Sequence, residues 1–269
     1  MLTLKIGIQT ASLRLPIRKA LQTAAELGVD AVEIDARNEL QPGAVSQTGL
    51  RQFRKLLDDF NLKVSAIGFQ TRRGYDVEED LDRRVAATKQ AMQLAHGLGA
   101  GVVVNQVGPV PPVLTDEESD DDDRRRWRLL VQVLTDLAHF GQHAGALLAA
   151  ETGTETGEDL ARLLAVCPEG LIAVNLDPAN LIINDFSPAE AIAALGPNIA
   201  HVHINDAVAD RSRGRGLEVP IGRGMADFPN LFALLEEHDY RGYLTIRRNE
   251  SDDPVFEVSQ AVRFLRNLD

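Results

Sequence analysis

Along this chain the spacing of apolar residues switches repeatedly between a period of two and a period near 3.6. Short β-branched runs over residues 5–10, 31–36, 63–69 and 101–107 read as strands. The longer amphipathic stretches between them, 16–28, 47–60 and 78–98, read as helices. Pro16 in the first turn and Gly28 at the end bound the first helix. The second half continues the rhythm with strands at 146–151, 171–177, 199–205 and 242–247. An apolar helix reaches about His143, and helices follow near 157–165, 188–195, 228–238 and 254–268. Eight strand and helix units are the number at which a parallel sheet closes, so the expected fold is α/β, a single (β/α)8 TIM barrel over residues 1–269. A doubly wound open sheet is the alternative. No glycine-rich dinucleotide or P-loop signature follows any strand, which disfavours it.

Polar residues interrupt these strands at a particular place, their C-terminal ends. In His201-Val202-His203-Ile204-Asn205-Asp206 the period of two puts His201, His203 and Asn205 on one face and Val202 and Ile204 on the other. Glu151, Asp177 and Arg247 each end a strand in the same way, and Gln9, Glu33 and Asn105 are expected at inward-facing positions near strand ends. Glu151, Asp177 and His203 offer two carboxylates and an imidazole, a donor set suited to Mn, Mg, Co or Zn. Such an ion polarises a carbonyl and eases proton loss from the neighbouring carbon, with an adjacent carboxylate as base. Each residue also has a plainer role: Glu151 in a salt bridge at the rim, Asp177 in a turn before Pro178, His203 as a satisfied core histidine. For His201, deeper in the barrel, the core role is the expectation.

Charge and composition narrow the partners. Asp and Glu number 40 against 28 Lys and Arg, a net charge of -12, which argues against nucleic acid. Cys167 is the single cysteine, expected to be a small buried residue, so neither a disulfide nor a cysteine metal site is expected. No signal-like start and no apolar run of membrane-spanning length stands out, so no membrane partner and a cytoplasmic location are expected. The acidic run from Asp116 to Asp123, followed by Arg124, Arg125, Arg126 and Arg128, reads as the solvated start of a helix, with a partner-binding patch as the alternative and Trp127 as a packing residue. A homo-oligomer is left open.

Several segments carry a resemblance: Glu151-Thr152-Gly153-Thr154-Glu155-Thr156, Asn175-Leu176-Asp177-Pro178-Ala179-Asn180-Leu181, the 201–206 strand, 220–228 and 240–246. In order and spacing the chain resembles the xylose isomerase-like sugar phosphate isomerase/epimerase barrels, which share their fold with endonuclease IV. The resemblance implies that Glu151, Asp177 and His203 match the family's first three metal ligands. The fourth, a Glu after Leu-Thr-Ile that also serves as an acid/base in the epimerases, is Arg247 here. Asn180 stands where many relatives have a substrate-contacting His, and Asn205 where a Lys is frequent.

Arg247 changes the expected chemistry, because a guanidinium neither binds a metal nor acts as an ordinary base. If it points inward it pairs with Glu151 or Asp177 and weakens or replaces the ion, or holds a substrate anion; if it swings out, Glu250 fills the ligand role. The expected activity is an isomerase of aldose–ketose type, or an epimerase, on a small sugar, sugar phosphate or polyol ketone, through an enediolate. Glu151 and Arg247 are the catalytic candidates, and Glu33, Asn105, Glu158, Asn180 and Arg213 the substrate-binding ones. Glu155 is an alternative to Glu158, and Arg211 and Arg215 accompany Arg213 in a loop that can close over an anion. A metal-free or non-catalytic sugar- or anion-binding relative is the competing reading; apurinic endonuclease activity is disfavoured by the charge and by only six histidines.

Overall fold

The computed structural model describes residues 4–112, 121–209 and 216–268. Arg211, Arg213, Arg215 and most of the acidic run therefore lie outside the described residues.

The apolar runs form strands β1 (Lys5–Gln9), β2 (Ala31–Asp35), β3 (Lys63–Gly68), β4 (Val102–Asn105), β5 (Leu147–Glu151), β6 (Ile172–Leu176) and β7 (Ile199–Ile204). A short antiparallel pair, β8 (Asp206–Val208) and β9 (Leu217–Val219), precedes the last barrel strand, β10 (Tyr243–Ile246). The barrel closes in the order β1-β10-β7-β6-β5-β4-β3-β2, with every pairing parallel, and the expected (β/α)8 barrel is what the chain forms. Helices α1 (Ile17–Glu26), α2 (Gln47–Asp59), α3 (Leu81–Leu98), α4 (Asp121–Ala144), α5 (Gly157–Leu164), α6 (Pro178–Ile183), α7 (Pro188–Leu195), α8 (Phe228–Glu237) and α9 (Pro254–Arg266) join the strands. No described helix is long and apolar enough to cross a membrane.

Two cores result from the period of two. The larger lies between the outer face of the barrel and the helices and includes Ile8, Ile34, Leu134, Leu148 and Leu244. The smaller fills the barrel itself with Ala66, Val102, Val104, Ala149 and Ala173, residues small enough for a narrow interior. Close approach also explains Gly68, where a Cβ would stand 2.8 Å from Glu33 Oε1. Above this apolar plug, toward the strand C-termini, the interior becomes polar.

The sequence reading missed two elements. α6 is a single short helix whose first residue is Pro178, started by the Asp177 carboxylate accepting from the Asn180 amide at 2.8 Å. The β8–β9 pair is too short for periodicity to reveal, and Asp206 ties its end down by accepting from the amides of Gly222, Gly224 and Ala226 at 2.8 to 3.0 Å. Cys167 and Trp127 take their expected packing roles. The Cys167 thiol is buried, and Trp127 packs on the core with the Arg162 guanidinium 4.6 Å from its ring.

Candidate active site

Five strands deliver polar groups to one enclosed cluster at the C-terminal mouth. Glu151 ends β5, Asp177 follows β6, His203 lies near the end of β7, Arg247 follows β10 and Glu33 rises from β2. Glu33, Glu151, Asp177 and His203 are buried, and the Arg247 side chain is 13% exposed.

Arg247 points inward, and Glu250 stays exposed at the surface. Its Nη1 donates to Asp177 Oδ2 at 2.7 Å and to Glu151 Oε1 at 3.1 Å, and lies 3.4 Å from His203 Nδ1. The ligating atoms of Glu151, Asp177 and His203 lie within 4.8 Å of one another, a grouping able in kind to hold a metal ion. One guanidinium nitrogen thus touches all three members of that set. The Nε of the same side chain is buried without a hydrogen-bond partner.

Glu151 is held from every side. Its Oε1 accepts from Arg247, from Asn180 Nδ2 at 3.0 Å and from Gln106 Nε2 at 3.5 Å, while Oε2 accepts from Gln70 Nε2 at 2.8 Å and Asn175 Nδ2 at 3.3 Å. Asp177 does two jobs with its two oxygens: Oδ1 caps α6 and accepts from Asn205 Nδ2 at 2.9 Å, and Oδ2 faces Arg247 and His203. The turn-forming and cluster-forming roles of Asp177 are therefore both realised.

Burial and neighbouring charges set the protonation of the cluster. Burial disfavours charge on His203, but Glu33 2.7 Å from Nε2 and Asp177 3.1 Å from Nδ1 outweigh it and raise the imidazole to about 10. Burial by itself would raise the Glu33 carboxyl; the His203 charge and hydrogen bond bring it down to about 2. Burial also works against the Asp177 carboxylate, and Arg247, with His203, holds it well below the ordinary range. In His201 burial wins and lowers the ring to about 3, so it is neutral, with Nδ1 2.8 Å from Asn175 Oδ1 and Nε2 2.9 Å from Thr245 Oγ1. His201 is the satisfied core histidine expected.

The expected inward residue on β4 is wrong. Val102 and Val104 line the barrel interior, so Asn105 faces the other way, where its Nδ2 donates to Tyr75 Oη at 2.8 Å and its Oδ1 accepts from the Thr71 amide at 3.0 Å. Asn105 is fully buried in that network. Gln106, one residue on, takes the inward position. Gln70 after β3 does the same, and neither was singled out from sequence, although parity counted from Val104 finds Gln106. Glu158 is exposed in the first turn of α5, outside the cluster. Glu155 is the buried one of that pair: its Oε2 accepts from Thr154, its Oε1 has no partner, and burial raises its carboxyl to about 7.

Comparison with known proteins agrees with this architecture. Residues 21–268 match the family model described as xylose isomerase-like TIM barrel. The chain belongs to this family. Among its curated relatives, the inosose dehydratase of Clostridium beijerinckii is 24% identical over 237 residues, covering 78% of each chain. A xylose isomerase domain protein from Planctomyces limnophilus superposes with a TM-score of 0.82 at 23% identity, over 98% of this chain and 97% of that one. A 3-keto-D-glucoside 4-epimerase from E. coli superposes at 0.75 with 20% identity, over 98% and 100%. By name, two of these relatives differ in reaction type, a dehydratase and an epimerase.

Proposed function

We propose that this barrel enolises a small keto-sugar or polyol ketone, using the fixed guanidinium of Arg247 where a divalent ion would otherwise sit. The observation that carries the reading is the position of Arg247 Nη1 amid Glu151, Asp177 and His203. By residue type the three fit Mn, Mg, Co or Zn, but in this arrangement they do not. A divalent ion about 4 Å from a fixed positive charge costs on the order of 8 kcal/mol at an effective dielectric near 20. His203 Nδ1, facing Asp177 as part of an imidazolium, also has no lone pair to give.

In this mechanism the substrate carbonyl accepts from the guanidinium N–H groups that Glu151 and Asp177 leave unused. Glu151 takes the proton from the neighbouring carbon, after the substrate has replaced its longest contact, the one with Gln106. The negative charge growing on oxygen is offset by Arg247, whose pKa is raised because Glu151, Asp177 and Glu33 outweigh the cost of burial. Asn180, bonded to Glu151, orients that base. Return of the proton to the adjoining carbon, as the hydroxyl proton passes from one enediol oxygen to the other, completes an aldose–ketose isomerisation with one base. Epimerisation needs a second base on the other face of the substrate, and Arg247 is unsuited to that role.

Dehydration is a second reading, favoured by the inosose dehydratase relatives. It shares the enolisation and then expels a hydroxyl from the next carbon. Incubating the chelator-treated protein in D2O with ketohexoses and inosose, followed by NMR, tests both. Deuterium uptake beside the carbonyl supports enolisation; an aldose product selects isomerisation and an unsaturated product selects dehydration. Exchange that appears only after Mn is added refutes the guanidinium mechanism. Tight sugar binding without exchange under any condition favours a non-catalytic binding protein.

A further inference from the structure

β10 runs into two adjacent arginines, Arg247 and Arg248, and it is Arg247 that enters the cluster. Each pairs with two carboxylates: Arg247 with Glu151 and Asp177, Arg248 with Glu218 of β9 and Glu257 of α9, outside the cluster. Side-chain chemistry does not make the choice, since the two residues are the same. A slip of one residue at a strand end exchanges inward and outward side chains, and here it would send Arg248 into the cluster. The surroundings must therefore hold the phase.

They hold it through Arg248. Its Nε donates to Glu257 Oε2 at 2.6 Å, its Nη1 to Glu218 Oε1 at 2.8 Å, and its amide to Ser12 Oγ at 2.9 Å. The side chains of Arg248 and Glu218 are 9% and 7% exposed, so removing either one strands a shielded charge. The next residues are tied down as well. Glu218 accepts from the Asn249 amide at 3.0 Å, and Arg14 donates to the backbone oxygens of Asn249 at 2.6 Å and Ser251 at 2.8 Å. On the strand side the Arg247 amide donates to the Ile204 oxygen at 3.1 Å. The Arg247 backbone is thus fixed between a ladder hydrogen bond and the Arg248 anchor.

The anchor also reaches the cluster by a second line. Ser12 Oγ, which accepts from the Arg248 amide, donates to Gln9 Oε1 at 3.1 Å, and Gln9 Nε2 donates to Glu33 Oε1 at 2.8 Å. Glu33 in turn holds His203.

We propose that Arg248 is a positioning residue: its clamp to Glu218, Glu257 and Ser12 fixes the phase of the strand end and thereby aims the Arg247 guanidinium at Glu151 and Asp177. The role concerns where Arg247 is held and does not depend on which reaction the barrel performs. The test is solvent exchange of the Arg247 Nε proton, followed by NMR on protein carrying heavy nitrogen in its arginines, with the signal assigned by its loss in Arg247→Lys. That proton is buried without a partner, so it exchanges when the side chain leaves its place. The proteins are the wild type, Arg248→Gln, the milder Glu257→Gln at a carboxylate 21% exposed, and Arg126→Gln, which breaks a different shielded ion pair, with Asp76.

The expected result is slow exchange in the wild type and exchange at least about tenfold faster in Arg248→Gln, the scale of one charged hydrogen bond. Glu257→Gln should move the same way, and it decides by itself if Arg248→Gln does not fold. Arg126→Gln should melt lower and leave the Arg247 proton as slow as in the wild type. A merely structural Arg248 would lower the melting temperature without singling out this proton. Equal exchange in the wild type and the clamp variants overturns the proposal, as does equal acceleration in Arg126→Gln or a fast Arg247 proton in the wild type. The deuterium-uptake assay keeps this separate from the chemistry. Protection lost in the clamp variants with no uptake by any ketone removes the enolisation reading and keeps the positioning role. Uptake with unchanged protection in the clamp variants does the reverse.

Discussion

Replacing Arg247 with methionine removes a guanidinium that faces two fully buried carboxylates, and a side chain of similar reach leaves the space filled. The contacts at 3.1 Å to Glu151 and 2.7 Å to Asp177 correspond to gross attractions of about 5 and about 6 kcal/mol at an effective dielectric of 20. Desolvation of all three groups offsets much of this, so the net cost of deleting one partner should be about 3–5 kcal/mol. At about 2–4 °C per kcal/mol for a chain of this size, the melting temperature should fall by about 6–20 °C. Glu151, Asp177 and His203 then face one another with no fixed cation among them. A divalent ion should enter by displacing the His203 Nδ1 proton, and Mn at about 100 times its Kd would return about 2.7 kcal/mol. Thermal unfolding of both proteins in chelator and in a Mn series reads this directly. Wild type should be insensitive to Mn, and Arg247→Met should start lower and climb with Mn. Refutation would be an Arg247→Met protein that melts with wild type in chelator, or a wild type that gains as much from Mn as the variant does.

Other predictions follow from single features of the site. His203 is raised to about 10 and His201 lowered to about 3, so imidazole NMR across pH 5 to 9 should show one charged and one neutral buried ring, with neither titrating. Glu155 is raised to about 7, so its contribution to stability is fully present below its unfolded value near 4.5 and is lost as pH rises through 7. Urea unfolding should accordingly show wild type losing at most about 3 kcal/mol relative to Glu155→Gln between pH 4.5 and 8; parallel curves would refute the buried-carboxyl account. Gly153 has φ +131°, and a Cβ there would stand 2.4 Å from Asn180 Cβ. Gly153→Ala should cost about 1–3 kcal/mol from backbone strain alone and should lower kcat in the exchange assay by pushing Asn180 off Glu151. A stable, fully active variant would remove Asn180 from the proposed machinery.

The sequence by itself determined the barrel and most of the residues at its mouth. Strand alternation is local, so Glu33, Glu151, Asp177, His203 and Arg247 could each be placed on an inward face from their own neighbours alone. The same rule failed at Asn105 because strand β4 was counted one residue out of phase, and a slip of one moves every side chain to the other face. Whether Arg247 points in or yields to Glu250 was beyond local pattern. That depends on carboxylates 96 and 70 residues away along the chain reaching within 3.1 and 2.7 Å, which only barrel closure decides. Gln70 and Gln106 became visible as partners of Glu151 for the same reason. The clamp on Arg248 is likewise a tertiary product, since Ser12, Glu218 and Glu257 belong to three separate elements that meet only when the barrel closes and brings them to the same rim.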